Sequence, residues 1–195
     1  MIENEHYSKA VQRNFYEVVN ALHERQVLIS LEEYVEKNGT ISYCGSFFQI
    51  SRDALFNDMM AHIIKVLDSN KRSASFWYIL KINKEKIKDC KSYSEDKIKF
   101  LEDLKCKLKP VRNETHFHIG KDGVLDPKAV WSKAGITGNE LGQGIDYLLD
   151  MLLELHNSVL GGNLSRHNLI YTGEDFLQLL ELARVNDLIT VFKKS

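Results

Sequence analysis

The chain has 195 residues and a mass of 22.5 kDa, which fits one domain, or one domain with a short appendage. Its composition is 44% hydrophobic and 27% charged with two prolines, which excludes collagen-like, mucin-like and fully disordered proteins. The net charge of −1 does not by itself indicate a nucleic-acid partner.

The sequence predicts neither a membrane span nor secretion. No window approaches roughly 18 consecutive apolar residues, and residues 1–6 are acidic and polar, unlike the start of a signal peptide. Cys44, Cys90 and Cys106 are an odd number of cysteines without CxxC spacing, which predicts reduced thiols rather than disulfides or a zinc site. We therefore expect a cytoplasmic protein with no metal site and no cofactor.

Long segments with a helical apolar period dominate the first half of the chain. A first helix is predicted from near Glu5 to Glu36, because Lys37-Asn38-Gly39 supplies residues that tolerate a left-handed C-cap. A second helix is predicted from Tyr43 to Asp68, with Asp68-Ser69-Asn70 closing it. The apolar run Ser75–Ile82 is predicted to be a short buried helix.

Capping signals organise the middle of the chain. Ser92-Tyr93-Ser94-Glu95 has the spacing of a capping box and predicts the start of a lysine-rich helix that continues to Leu108. Pro110 predicts a new helix start, because its missing N–H costs nothing in a first turn. Gly120 to Pro127 is predicted to be a loop.

The last third contains the clearest helix. Thr137-Gly138-Asn139-Glu140 is a second capping box, followed by a leucine-rich periodic segment that ends at Gly161-Gly162-Asn163. A final helix is predicted to begin at Thr172-Gly173-Glu174-Asp175. Together these patterns predict an all-α antiparallel helical bundle of about five to six main helices.

The charges are unevenly distributed. Residues 81–121 contain 12 Lys/Arg and 7 Asp/Glu, a net charge of +5 on an otherwise acidic chain. Two interpretations remain open: a solvated lysine-rich helix face, or a local site for an anionic ligand whose phosphates contact Lys and Arg.

The basic stretch ends in Arg112-Asn113-Glu114-Thr115-His116-Phe117-His118. Arginine offers a planar fork for phosphate oxygens, and histidine transfers protons near neutral pH. With no carboxylate cluster, these residue types suit metal-free phosphodiester cleavage, in which the 2′-hydroxyl of RNA can be the attacking group. On an α-helix His116 shares a face with Arg112 but His118 does not, so either the helix frays or His118 completes a site with a second copy.

This segment resembles the signature of the HEPN superfamily, in which four to six residues separate an arginine, often followed by asparagine, from a histidine. Arg112-Asn113 and His118 most resemble the AbiU-type abortive-infection branch, and Phe47–Ile50, Leu55–Asp58 and Ile63–Asp68 resemble its long second helix. The resemblance covers roughly residues 10–160. It implies that residues 1–160 form a HEPN-like helical domain, with residues 161–195 as a C-terminal helical appendage packed on it.

The resemblance implies a metal-independent endoribonuclease that acts as a toxin or antiviral effector and leaves a 2′,3′-cyclic phosphate and a 5′-hydroxyl. His118 would transfer the proton, Arg112 would hold the phosphate and Asn113 would orient the groups. The implied active site is composite and lies at a homodimer interface, with RNA as substrate and an antitoxin or regulatory protein as a possible partner. Substrate contacts are expected from three flanking residues, Lys109, His116 and Lys121.

Two alternatives remain open at this point. One is a non-catalytic HEPN module that binds nucleotide, RNA or a protein partner, because Phe117 fills a position where the branch has a small residue. The other is a helical interaction domain in which Arg112 simply pairs with Glu114, Asp103 or another helix.

Overall fold

The computed structural model describes residues 2–38, 45–116 and 126–169, together with residues 178, 181 and 182. These residues contain no strand, and seven α-helices account for most of them, so the predicted all-α fold is confirmed. A π-helical turn, Arg112–His116, and a 3₁₀ turn, Arg166–Leu169, complete the regular structure. The helices are α1 (Ile2–Asn38), α2 (Gly45–Val66), α3 (Phe76–Ile82), α4 (Lys84–Lys88), α5 (Glu95–Val111), α6 (Pro127–Ala134) and α7 (Gly138–Leu160).

Helix α1 packs against both α2 and α7. Both neighbours run antiparallel to α1, because residues farther along α1 contact residues of lower number in each neighbour. The pairs that show this are Glu17–Lys65 and Glu24–His62 for α2, and Phe15–His156 and Arg25–Asp146 for α7. Contacts of Lys97 with Tyr147 and of Lys107 with Glu140 place α5 antiparallel to α7 in the same way.

A single apolar cluster lies between these helices. Phe15, Met60, Leu101 and Leu148 come from four different helices and are each at most 1% exposed. Burial of one such side chain contributes roughly 1.5–3 kcal/mol to stability relative to leaving it exposed. Within the described ranges, no helix is apolar over a length that would cross a bilayer.

The predicted boundaries of α7 are confirmed. The Thr137 hydroxyl accepts from the Glu140 amide at 3.2 Å, and the Glu140 carboxylate accepts from the Thr137 amide at 2.9 Å. This reciprocal pair satisfies two amides that the helix itself leaves without partners. Gly161 ends the helix with a left-handed φ of 71°, a conformation that costs glycine little.

The capping box predicted at Ser92–Glu95 is wrong. Ser94 is the N-cap of α5, and its hydroxyl accepts from the Lys97 amide at 3.2 Å. The amides of Lys91 and Ser92 instead donate to the carboxylate of Glu154 on α7, at 2.7 and 3.0 Å. The local cap at Ser94 therefore begins α5, and Glu154 of α7 holds the turn just before it.

Pro110 does not begin a new helix, contrary to prediction. It lies inside α5, one residue before its end. A proline cannot donate to the carbonyl four residues earlier, and the backbone continues past Val111 as a π-helical turn rather than as regular α-helix. The proline therefore stands at the change of helix type.

Helix α6 was not predicted, because Pro127 was assigned to a loop. In the structure Pro127 occupies the first helical position, and the Asp126 carboxylate accepts from the Ala129 amide at 2.9 Å. The predicted starts of the second helix at Tyr43 and of the final helix at Thr172 lie outside the described residues. Within the predicted final helix, Gln178, Glu181 and Leu182 are described and are helical.

Close packing of α5 on α7 predicts the effect of a glycine substitution. A Cβ at Gly144 would lie 2.5 Å from Cδ2 of Leu104, which is only 2% exposed. Gly144→Val should therefore lower the free energy of unfolding by roughly 1–3 kcal/mol, the usual cost of overpacking, as measured by urea denaturation. Gly138→Ala, which adds a methyl group in open space, is the control. Equal unfolding midpoints in the two variants would contradict this packing.

Candidate functional site

The backbone at the end of α5 positions the predicted catalytic segment. The Arg112 amide is shared between the carbonyls of Leu108 and Lys109, and the Thr115 hydroxyl donates to the Val111 carbonyl at 2.8 Å. Residues 112–116 form a π-helical turn, whose hydrogen bonds span five residues rather than four. Arg112 and His116 therefore do not have the α-helical spacing assumed from the sequence.

Arg112 pairs with a residue of a different segment. Its Nη1 donates to Oδ1 of Asp68, just beyond the end of α2, at 3.1 Å. The Arg112 side chain is 35% exposed and that of Asp68 is 17% exposed. The pair holds the guanidinium beside α2 and uses only part of its five N–H donors.

A cleft of about 170 Å³ lies between the end of α2 and α5. Ile64, Leu67 and Leu108 provide its apolar surface, while its polar and thiol lining comes from Asp68, Ser69, Lys105, Cys106, Lys109 and Arg112. Three cationic side chains and one carboxylate give this lining a net charge of +2. The cleft therefore offers an anionic ligand a guanidinium and two ammonium groups next to an apolar surface.

A second cleft, of about 320 Å³, shares Asp68 and Ser69 with the first. Its lining includes Lys71, Lys81, Trp77 and Tyr78. Trp77 is also a structural residue, because its Nε1 donates to the Leu67 carbonyl at 3.0 Å and Lys105 lies 4.3 Å from its ring centroid. Phe76 beside it is fully buried and belongs to the core.

Some of the predicted site residues line the cleft, whereas others lie outside the described residues. Arg112 and Lys109 line the same cleft, and Asn113 is exposed in the π-helical turn. The backbone of His116 ends that turn, but its side chain is outside the description. His118 and Lys121 lie outside the described residues altogether.

The sequence profile of the AbiU2 family of HEPN domains matches residues 5–178. The chain belongs to the HEPN AbiU2 family. The match extends past residues 10–160, on which the sequence resemblance was based, and includes the whole basic stretch. Searches of curated proteins and of solved structures found no match.

Asp68 and Lys105 line the Arg112 cleft of this AbiU2-family chain, and sequence reasoning did not single them out. Asp68 was interpreted only as part of a helix-ending signal, and Lys105 only as one of many exposed lysines of α5. Asp68 lies 44 positions before Arg112, so no local spacing predicts the pair. The regional charge was the one signal that pointed toward Lys105.

A second polar cluster of the AbiU2-family domain lies between α1 and α2 and is centred on Glu17. Its carboxylate accepts from Arg13 at 2.7 Å and from Lys65 at 3.3 Å, and its Oε2 lies 2.5 Å from Nδ1 of His62. Burial opposes the ionisation of Glu17, but the hydrogen bonds from His62, Arg13 and Lys65 outweigh it and lower its pKa. Glu17 is therefore a stable carboxylate inside the bundle.

Glu24 lies about two helical turns after Glu17 on α1, and its surroundings shift its pKa in the opposite direction. Burial raises the pKa of Glu24 to about 8, and the neighbouring Asp58 carboxylate adds to the rise. His62 Nε2 lies 3.5 Å from Glu24 Oε1 and 3.8 Å from Asp58 Oδ1. No sequence pattern predicts this cluster, because His62 stands apart from other histidines along the chain and Glu24 belongs to a different helix.

The partial exposure of the Arg112–Asp68 pair predicts a small energetic coupling. In a double-mutant cycle of Asp68→Ala and Arg112→Ala, we expect a coupling of about 0.2–1 kcal/mol, typical of solvated ion pairs. Urea unfolding of the wild type, both single variants and the double variant measures it. Asp68→Ala also removes the hydrogen bond that the Asn70 amide donates to Asp68. Because this loss occurs both with and without Arg112, it cancels in the cycle. A coupling above roughly 2 kcal/mol would instead identify the pair as a structural clamp.

Proposed function

We propose that this AbiU2-family chain is a metal-independent endoribonuclease that acts in the cytoplasm as an abortive-infection toxin or antiviral effector. The observation that supports the proposal is the position of Arg112 in a cleft of net charge +2, at the start of the family's arginine–histidine motif. A cytoplasmic location agrees with the free thiols of Cys90 and Cys106 and with RNA as the target.

The proposed reaction uses the substrate's own nucleophile. The 2′-hydroxyl of the ribose attacks the adjacent phosphorus, the bond to the 5′-oxygen of the next nucleotide breaks, and a 2′,3′-cyclic phosphate forms. The proton of the 2′-hydroxyl is removed, and the leaving 5′-oxygen gains a proton to become a hydroxyl. His118 is the residue we assign to proton transfer.

Arg112 is assigned to the phosphate. As the phosphorus becomes five-coordinate, negative charge accumulates on its non-bridging oxygens, and a fixed guanidinium stabilises that charge more than it stabilises the ground state. Asp68 keeps the guanidinium beside α2 through Nη1, so less of the Arg112 side-chain entropy remains to be lost when RNA binds. Asn113 is assigned to orientation of the reacting groups.

The flanking cations are assigned to substrate binding. Lys109 and Lys105 line the cleft with Arg112, at positions suited to the phosphates on either side of the cleaved linkage. His116 and Lys121 follow in the same basic stretch and are proposed to continue this contact. An ammonium on a flexible stem acts here as a point charge, which suits binding without base recognition.

A non-catalytic HEPN module is the alternative function. Phe117 is bulky where the branch has a small residue, and the neighbouring cleft offers Trp77 and Tyr78 for stacking of a base. Such a module would bind RNA, a nucleotide or a protein partner without cleaving. RNA binding that is unaffected by chelation and yields no product would support this alternative.

Cleavage of a generic single-stranded RNA in EDTA tests the enzyme proposal. We expect products with 2′,3′-cyclic phosphate ends, identified by mass spectrometry, and no cleavage of the same strand made of DNA. Arg112→Ala and His118→Ala should each reduce the rate on the order of 100-fold or more. Lys99→Ala, which removes an exposed cation of α5, is the matched control. Equal rates in Lys99→Ala and the two site variants would overturn the assignment.

We further propose that the active site is completed by a second copy of the chain. One copy brings Arg112 and Lys109 into its cleft, and a facing copy would add a second arginine and histidine to the same groove. Light scattering on purified protein should therefore give twice the 22.5 kDa chain mass at micromolar concentration. An RNA-cleaving protein that is a monomer under assay conditions would contradict the composite site but not the chemistry.

A further inference from the structure

Three metal-ligating side chains that take no part in the proposed reaction converge between α1 and α2. They are Glu24 of α1 and Asp58 and His62 of α2. One donor atom from each lies within 4.8 Å of the other two. Asp58 and His62 are one helical turn apart, and Glu24 approaches them from the antiparallel neighbour.

Two distances within this cluster are close to those between ligand atoms around an ion. Nε2 of His62 is 3.5 Å from Oε1 of Glu24 and 3.8 Å from Oδ1 of Asp58, both longer than a good N–H···O hydrogen bond. Two ligand atoms bound at about 2.1 Å to a tetrahedral ion are themselves about 3.4 Å apart. The spacing of the donor atoms therefore leaves room for an ion between them.

Glu24 provides an independent observation. Its Oε2 is fully buried and has no hydrogen-bond partner among the described residues. The whole side chain is only 14% exposed. A buried polar atom without a partner is costly, so an ion held by both oxygens of the Glu24 carboxylate would also satisfy Oε2, which is unpaired among the described residues.

His62 is held in the orientation that metal binding requires. It is 9% exposed, and its Nδ1 lies 2.5 Å from Oε2 of Glu17. A carboxylate at one ring nitrogen fixes the proton there and directs the lone pair of the other nitrogen to a metal, an arrangement typical of histidine ligands. Arg13 and Lys65 in turn bind Glu17, so the orienting carboxylate is itself anchored.

The two acids of the cluster face each other across α1 and α2, and the cations near them, Arg13 and Lys65, pair with Glu17 instead. A divalent ion would offset the repulsion between the Glu24 and Asp58 carboxylates and make them co-ligands.

We propose that Glu24, Asp58 and His62 bind one divalent transition-metal ion, with zinc the best match. Two carboxylates and one imidazole are ligand types that zinc accepts, and water would complete a four-coordinate site. Asp58 is 64% exposed, so the ion can enter from solvent. Bound there, the ion joins α1 to α2 and acts as a structural clamp, separate from the Arg112 cleft and from the proposed cleavage chemistry.

The test uses the full chain, purified without a polyhistidine tag and stripped of metal by chelation and dialysis. Addition of Zn²⁺ alone should give binding of one ion per chain by calorimetry and a thermal midpoint raised by several degrees. Co²⁺ should bind at the same stoichiometry with the visible absorption of a tetrahedral site, whereas Mg²⁺ should leave the midpoint unchanged.

Asp58→Asn is the decisive variant, because this exposed residue can change without disturbing the core. It should weaken Zn²⁺ binding at least tenfold and remove the Co²⁺ spectrum, and His62→Gln should do the same. Asp53→Asn, an exposed acid on the same helix, is the matched control and should bind normally. No shift with Zn²⁺, or binding unaffected by Asp58→Asn, would overturn the metal site and leave the EDTA-resistant cleavage proposal untouched.

Discussion

The fold depends on the burial of α1 on most of its circumference. Glu17, Val18 and Val19 are three consecutive residues, yet each is at most 8% exposed. Since consecutive helical positions point about 100° apart, a helix with such a run must be covered from more than one side. Helices α2 and α7 provide that cover. Both run antiparallel to α1.

A helix buried in this way must accommodate its polar side chains within the bundle. The amide of Asn14 donates to the carbonyls of Ala10 and Ala74, at 2.8 and 2.6 Å, which satisfies it and joins α1 to the segment before α3. Glu17 solves the same problem with charged partners from α1 and α2. Glu24, farther along the helix, has one carboxylate oxygen without a partner in the part of the chain that the structure describes. This difference between the two acids sets the Glu24 cluster apart.

The Arg112–Asp68 ion pair of the cleft joins two helix ends rather than two helix faces. Asp68 lies just after α2 and Arg112 just after α5, so their pair joins two points where regular hydrogen bonding stops. Pro110 lies two residues before the family motif, and the π-helical turn changes the helical register from Arg112, where the motif begins. The cationic cleft thus uses a local irregularity of α5, while the rest of that helix packs regularly through Leu101, Leu104 and Leu108.

The sequence by itself determined the helical class, the apolar sides of the long helices, the capping box of α7 and the family. Apolar period, capping residues and the Arg112–His118 spacing are local properties, so they can be recognised without coordinates. The helix at Pro127 also has local signals, the Asp126 cap and the proline in its first turn, but sequence reasoning assigned it to a loop. Other features were decided only by tertiary structure: the acceptor on α7 for the Lys91 and Ser92 amides, and the partner of Arg112. The Glu24–Asp58–His62 cluster belongs to the same group. The Lys91–Glu154, Asp68–Arg112 and Glu24–His62 contacts join residues 38 or more positions apart, and such separations in sequence become short distances in space only when α1, α2, α5 and α7 pack together.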